Sequence, residues 1–176
     1  MRLPQIKTLL LLPILLLLTS CGYHAAGSAT HIPTSVHTLA VPIFTTHSQA
    51  YHTEVAFTQA TIRELNTRTK YVIESKDAAD ADATLTGTIL AQSVAPLTYD
   101  STSGQTSSYL ITVTARILLT ARDGTVLYRN DSLAYREQYQ STQDLTLFVQ
   151  EDSSAVRRIA RDFSQALVSD MLESFK

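Results

Sequence analysis

Five histidines, one cysteine and a close-set acidic triplet are the residues of this chain with the widest chemical repertoire. His24, His31, His37, His47 and His52 all lie in its first third. No two of them sit four apart on a helix with a Glu between them, as a helical zinc site requires. Asp77, Asp80 and Asp82 crowd together as calcium ligands do, but the loop glycine and closing Glu of an EF-hand are missing. A solvated turn is the expectation there. With 5 glycines in 176 residues, phosphate-cradling loops and nucleophile elbows lack their material. An envelope hydrolase using Ser and His could be assembled on paper, yet no spacing asks for it. The chain reads as a non-enzyme without metal or cofactor.

The cysteine is the informative residue. Cys21 stands where an apolar run, Leu9 to Leu18, stops. That run is too short to span a bilayer, which takes roughly 20 apolar residues. Arg2 and Lys7 precede it and small polar residues follow, the order of a secretory signal. Leu18-Thr19-Ser20-Cys21 matches the bacterial lipobox, in which the cysteine becomes the first mature residue and its sulfur takes a diacylglycerol. Two acyl chains hold a protein on a membrane stably, whereas one does so marginally. Cys21 is therefore expected as the lipidation site. Gly22 follows it; the absence of Asp there favours sorting to the outer membrane, on the periplasmic side.

The leader holds two of the 14 Lys+Arg and none of the 16 Asp+Glu, so the mature chain has a formal charge of −4. That balance opposes nonspecific nucleic-acid binding, which needs clustered positive charge. With Cys21 acylated no thiol remains for a disulfide, and the fold must stand on its core alone.

These features need elements to hold them. Residues 1–20 read as the signal peptide, 21–35 as a lipidated tether and 36–176 as one domain. "VHTLAVPIF", 36–44, reads as a buried strand ending near Pro42, since proline cannot donate to a ladder. Helical spacing over 51–69 puts Val55, Thr58, Ile62 and Leu65 on one face, with Phe57 and Ala60 beside it. "KYVIE", 70–74, is a short strand. "ATLTGTILAQSV", 83–94, alternates with Ala83, Leu85, Gly87, Ile89 and Ala91 to one side, and Gly87 marks a bulge or close backbone approach. Residues 95–108 read as a long loop. Residues 109–120 alternate again, and Asp123-Gly124 signals a two-residue hairpin. A type I′ turn would place Leu119 opposite Tyr128 and Arg116 opposite Asp131. The return strand runs from Thr125 to about Tyr139, and 141–154 is a connector. A last helix, about 153–175, carries Val156, Ile159, Ala160, Phe163, Leu167 and Met171 in one stripe, with Asp152 or Ser153 as N-cap. The expected fold is α+β: a two-layer sandwich with two helices packed on one face of a mixed four- to five-stranded sheet.

Several segments, in order, resemble one family. They are Cys21-Gly22-Tyr23-His24 with Gly27, "VHTLAVPIF", "ADATLTGTI" at 81–89, "YREQY" at 135–139 and "RRIARDFSQALVSDMLESF" at 157–175. Together they resemble the LptE family of lipopolysaccharide-assembly lipoproteins across essentially the whole mature chain. The resemblance implies a protein seated in the periplasmic mouth and lumen of a large outer-membrane β-barrel, LptD. There it would act as a plug, help the barrel assemble and contact lipopolysaccharide on its way to the outer leaflet. It implies no covalent chemistry, and it assigns no basic residue of this chain to lipopolysaccharide. "TLAVPIF" followed by a helix also resembles other periplasmic lipoproteins, related to CsgG or the TolB amino-terminal domain, which would make this a different envelope scaffold.

A plug must offer polar side chains to a polar barrel lumen. The candidates for contact with the barrel or with lipopolysaccharide are Tyr99, with Pro96 and Leu97, on the 95–108 segment, and Arg122 and Arg129 flanking the Asp123-Gly124 tip.

Overall fold

The computed structural model describes residues 32–48, 53–75, 80–99, 101–102, 104, 106–140 and 145–173, the last range as backbone alone over 145–153. Among these residues six strands and two helices follow in the order β1 (Thr38–Ala40), β2 (Thr45–Thr46), α1 (Thr53–Arg68), β3 (Val72–Glu74), β4 (Ala83–Tyr99), β5 (Thr106–Ala121), β6 (Val126–Gln140) and α2 (Leu145–Glu173). All six strands join one mixed sheet, ordered β3-β1-β4-β5-β6, with β2 also paired to β4. The contacts of β1 and β2 are parallel, and the long β4-β5-β6 meander is antiparallel.

The sheet has six strands where four or five were expected, and Pro42 is the reason. The 36–44 run leaves the ladder after Ala40, because proline carries no N–H. Val41 N still donates to the Glu74 carbonyl at 2.7 Å, and Phe44 N turns to Thr58 Oγ1 on α1 at 2.9 Å. The chain then rejoins β4 at Thr45–Thr46 as a separate short strand.

The expected loop at 95–108 is largely strand. Ala95 pairs with Leu110, Pro96 with Tyr109 and Tyr99 with Thr106. Ser and Thr marked a loop by composition, but Thr is at home on a pleated surface. Pro96 is tolerated because β2 ends at Thr46, beside Ile89, and leaves the far side of β4 as an edge.

A register shift between Ile89 and Ala91 inserts one extra residue into β4. Side chains beyond it exchange faces, so Ala91 pairs with Thr114 and is exposed instead of following Ile89 inward. The Asp123-Gly124 tip is a three-residue loop, 122–124, and not the expected two-residue turn. Ala121 N donates to the Thr125 carbonyl at 2.8 Å and Gly124 N to the Ala121 carbonyl at 2.9 Å. Gly124 takes φ +87°, the left-handed residue such a loop requires. A compensating shift between Leu119 and Thr120 restores the anticipated pairing of Leu119 with Tyr128.

The core lies between the helices and one sheet face. Leu85, Ile89, Ile111, Val113, Ile117 and Leu119 supply the sheet side; Phe57, Leu65, Ile159, Phe163, Leu167 and Met171 supply the helices. On α1 the fully buried stripe is Phe57, Thr61 and Leu65, whereas Val55 and Ile62 are half-buried, so the helix is rotated from the face its apolar spacing suggested. Burying Thr61 is satisfied locally: its hydroxyl bonds the Phe57 carbonyl at 2.9 Å and meets Ser164 Oγ across the helix interface at 3.2 Å. Helix α2 begins at Leu145, not near 153, so Asp152 and Ser153 fall inside it and cannot be its N-cap. Two polar clips fix α2 on β6: Arg158 Nε to Glu137 Oε1 and Tyr128 Oη to Asp170 Oδ2, each 2.6 Å. Burial foremost, then the Asp170 carboxylate, push the Tyr128 phenol well above its ordinary value.

Candidate functional site

Strand alternation places every second side chain of β4, β5 and β6 on the face away from the helices. Before the β4 bulge these are Thr84, Thr86 and Thr88, paired with Thr120, Leu118 and Arg116. Beyond it Ser93 pairs with Thr112, which in turn pairs with Arg136 on β6. The result is a field of hydroxyls that no helix among the described residues covers. Three of its charges gather at one point. Asp131 Oδ1 lies 3.5 Å from Arg116 Nε, and Arg129 Nε reaches both Asp131 oxygens at 2.9 and 3.0 Å. Such a face can hydrogen-bond broadly, but it presents no activated nucleophile. Among the described residues no group of three or more His, Cys, Asp or Glu could hold a metal.

The three contact candidates do not converge. Ala83 pairs with Ala121 at one end of the β4-β5 ladder and Tyr99 with Thr106 at the other. At 3.3 Å per residue the 17-residue β4 separates Tyr99 from Arg122 by roughly 50 Å. Tyr99 is 63% exposed, and Val94 and Leu97 on the same arm are also exposed, which makes the distal hairpin an apolar-studded projection. Arg122 is partly committed to the fold: its backbone N donates to the Asp82 carbonyl at 2.8 Å and its Nε to the Ala81 carbonyl at 3.1 Å. Arg129 is paired with Asp131, which Arg116 shares. Both arginines thus already have partners within the fold.

Asp82, read from sequence as part of a solvated acidic turn, is a structural clip. Its Oδ2 accepts from His37 N and Thr38 N at 2.9 Å and from Thr38 Oγ1 at 3.0 Å. Those hydrogen bonds to the ionised form, aided weakly by Arg122, hold its carboxyl down at about 2. Its one sequence signal was position, a carboxylate immediately before a strand. Asp77 lies outside the described residues, as does Cys21.

Residues 36–171 match the profile of the LptE family, lipopolysaccharide-assembly. The chain belongs to the LptE family. No curated protein matches it. Among solved structures it is similar to uncharacterized lipoprotein B from Nitrosomonas europaea, with 11% identity, a TM-score of 0.57 and coverage of 87% of this chain and 92% of that one. It is also similar to a Caulobacter crescentus protein described as a lipoprotein, with 11% identity, a TM-score of 0.50 and coverage of 73% and 86%. At such identities the likeness concerns the fold alone.

The LptE match opens at Val36 and closes at Met171, two residues of the same core cluster. It spans the Asp82 clip, the hydroxyl face and both hairpin tips. Ile32, upstream of it, is already buried in that core. Among the described residues of this LptE-family chain no helix is long and apolar enough to cross a membrane.

Proposed function

We propose that this LptE-family protein is an outer-membrane lipoprotein, anchored through Cys21, that plugs an LptD-type β-barrel and assists its assembly during lipopolysaccharide transport to the outer leaflet. Residues 1–20 are its leader, and the tether expected over 21–35 ends before Ile32, which is packed in the core. The observation that carries the reading is the uncovered hydroxyl face of β4-β5-β6. A barrel lumen is polar, and a face of Thr and Ser, with Asp131 shared between Arg116 and Arg129, offers it hydrogen-bonding partners throughout. The distal hairpin, with Leu97 and Tyr99 exposed, adds apolar anchors at the far end of the sheet. No residue need react, because the protein acts by occupying space and offering hydrogen bonds.

Affinity purification of the full chain from detergent-solubilised membranes tests this. A large, heat-modifiable outer-membrane barrel should co-purify in stoichiometric amount. Recovery of the chain alone, or with soluble envelope proteins only, would oppose the plug reading and favour a different scaffold.

A further inference from the structure

Helices α1 and α2 pack through Phe57 against Phe163, ring centroids 4.8 Å apart, and through Thr61 against Ser164. Along the solvent side of that seam runs an open groove of about 440 Å³. Its walls follow from helical spacing. Ala60, Arg63 and Glu64 stand at i, i+3 and i+4 on α1; Arg157, Arg161 and Gln165 stand at i, i+4 and i+8 on α2. Ala60 has only a methyl group and keeps the floor low.

The groove collects positive charge in a chain whose formal net charge is −2. Glu64 is the acid in its wall, and its carboxylate is engaged at 3.7 Å by Arg68, which also donates to Ser169 Oγ at 2.6 Å. Arg157 donates to Ser154 Oγ at 2.9 Å. Arg63 and Arg161 are exposed and make no hydrogen bond or ion pair among the described residues. The neighbouring Arg158 turns to the sheet instead, to Glu137. Three guanidinium groups therefore line one concavity from two helices. Arg63 and Arg161, which line it from opposite walls without a hydrogen bond or ion pair among the described residues, repel one another, and an anion between them relieves that repulsion.

We propose that this interhelical groove is a binding site for a phosphate group, held by Arg63, Arg157 and Arg161. A planar carboxylate is satisfied by one guanidinium fork. Donors arriving from both walls suit a tetrahedral group with three or four oxygens. The phosphate is either a free ion or the head group of a phospholipid. The site makes no use of the hydroxyl face, so it stands or falls separately from the plug reading.

Calorimetric titration of the purified full chain in a zwitterionic detergent tests it, with inorganic phosphate and dihexanoyl phosphatidic acid as probes. Saturable binding is expected, weakened about tenfold or more in the Arg63→Gln/Arg161→Gln variant, since charge-assisted hydrogen bonds are lost. The sheet-face variant Arg116→Gln/Arg136→Gln should bind as the parent does. Equal affinity for the two probes identifies the free ion; tighter binding of the lipid identifies a head group. Should the Gln variant melt early, Arg63→Lys/Arg161→Lys carries the same comparison, keeping charge but losing the forks, and should weaken binding to a lesser degree. Absence of saturable binding by either probe, or equal loss in the sheet-face variant, would overturn the proposal.

Discussion

The Phe44 ring occupies the space that a side chain at Gly87 would need. A Cβ built on Gly87 would lie 2.5 to 2.7 Å from three carbons of that ring, closer than real Cβ contacts come. The two residues lock β4 to the segment joining β1 and β2. Gly87→Ala should therefore cost about 1–3 kcal/mol by overpacking, read as a lowered denaturant midpoint. A smaller partner should relieve it: Phe44→Leu in the Gly87→Ala background ought to be less damaging than the two single effects summed. Strict additivity would mean that the contact is not what excludes a side chain.

Phe163 is the hinge of the core. It is 1% exposed and touches Phe57 at 4.8 Å and Tyr135 at 5.7 Å between centroids. Phe163→Ala should cost about 3–5 kcal/mol, a large part of a small domain's stability. Thermal unfolding monitored by circular dichroism reads this directly, and an unchanged midpoint would refute the assigned face of α2.

Asp82 makes a pH prediction. Its carboxyl sits at about 2 in the fold against an ordinary 3.8. A depressed acid contributes stability above its unfolded value and loses it as pH falls through the folded one. The melting temperature should thus decline between about pH 4 and pH 2 through this group. Asp82→Asn should start lower and depend less on pH across that window. An unchanged slope in the variant would remove Asp82 from the account.

Much of this was legible in the sequence, and the failures have physical causes. Leu119 does face Tyr128; Arg116 falls within a register shift between Ala115 and Ile117 and is not a ladder partner of Asp131, yet its side chain still reaches that carboxylate. The turn that delivers this pairing was misread, since Asp-Gly serves a three-residue loop as well as a two-residue one and the bulge beside it hides the difference. Ser- and Thr-rich residues 95–108 looked like a loop because composition does not say whether a hydroxyl faces solvent from a strand. At the candidate site, the pairing of Arg129 with Asp131 was open to the same period-two reading that found Arg116. The groove between α1 and α2 was not legible, because nothing in the spacing of Arg63 says that it will meet Arg157 and Arg161.

Cys21→Ala should leave an uncleaved precursor or a soluble periplasmic form. The basis is Leu18-Thr19-Ser20-Cys21 at the end of a short apolar run. Metabolic labelling with a clickable fatty acid reads the outcome, and a variant that still took up label would place the lipid elsewhere.

The central claim is that the open face of β4-β5-β6 meets the wall of a barrel. The most direct measurement is photo-crosslinking in living cells, with a photoreactive residue at Thr86, Thr114 or Tyr99 and a control at Gln59 on the exposed side of α1. Capture of one large outer-membrane barrel protein is expected from Thr86, Thr114 and Tyr99, with much less from Gln59. Capture of that barrel from Gln59 while the three sheet positions capture nothing would contradict it.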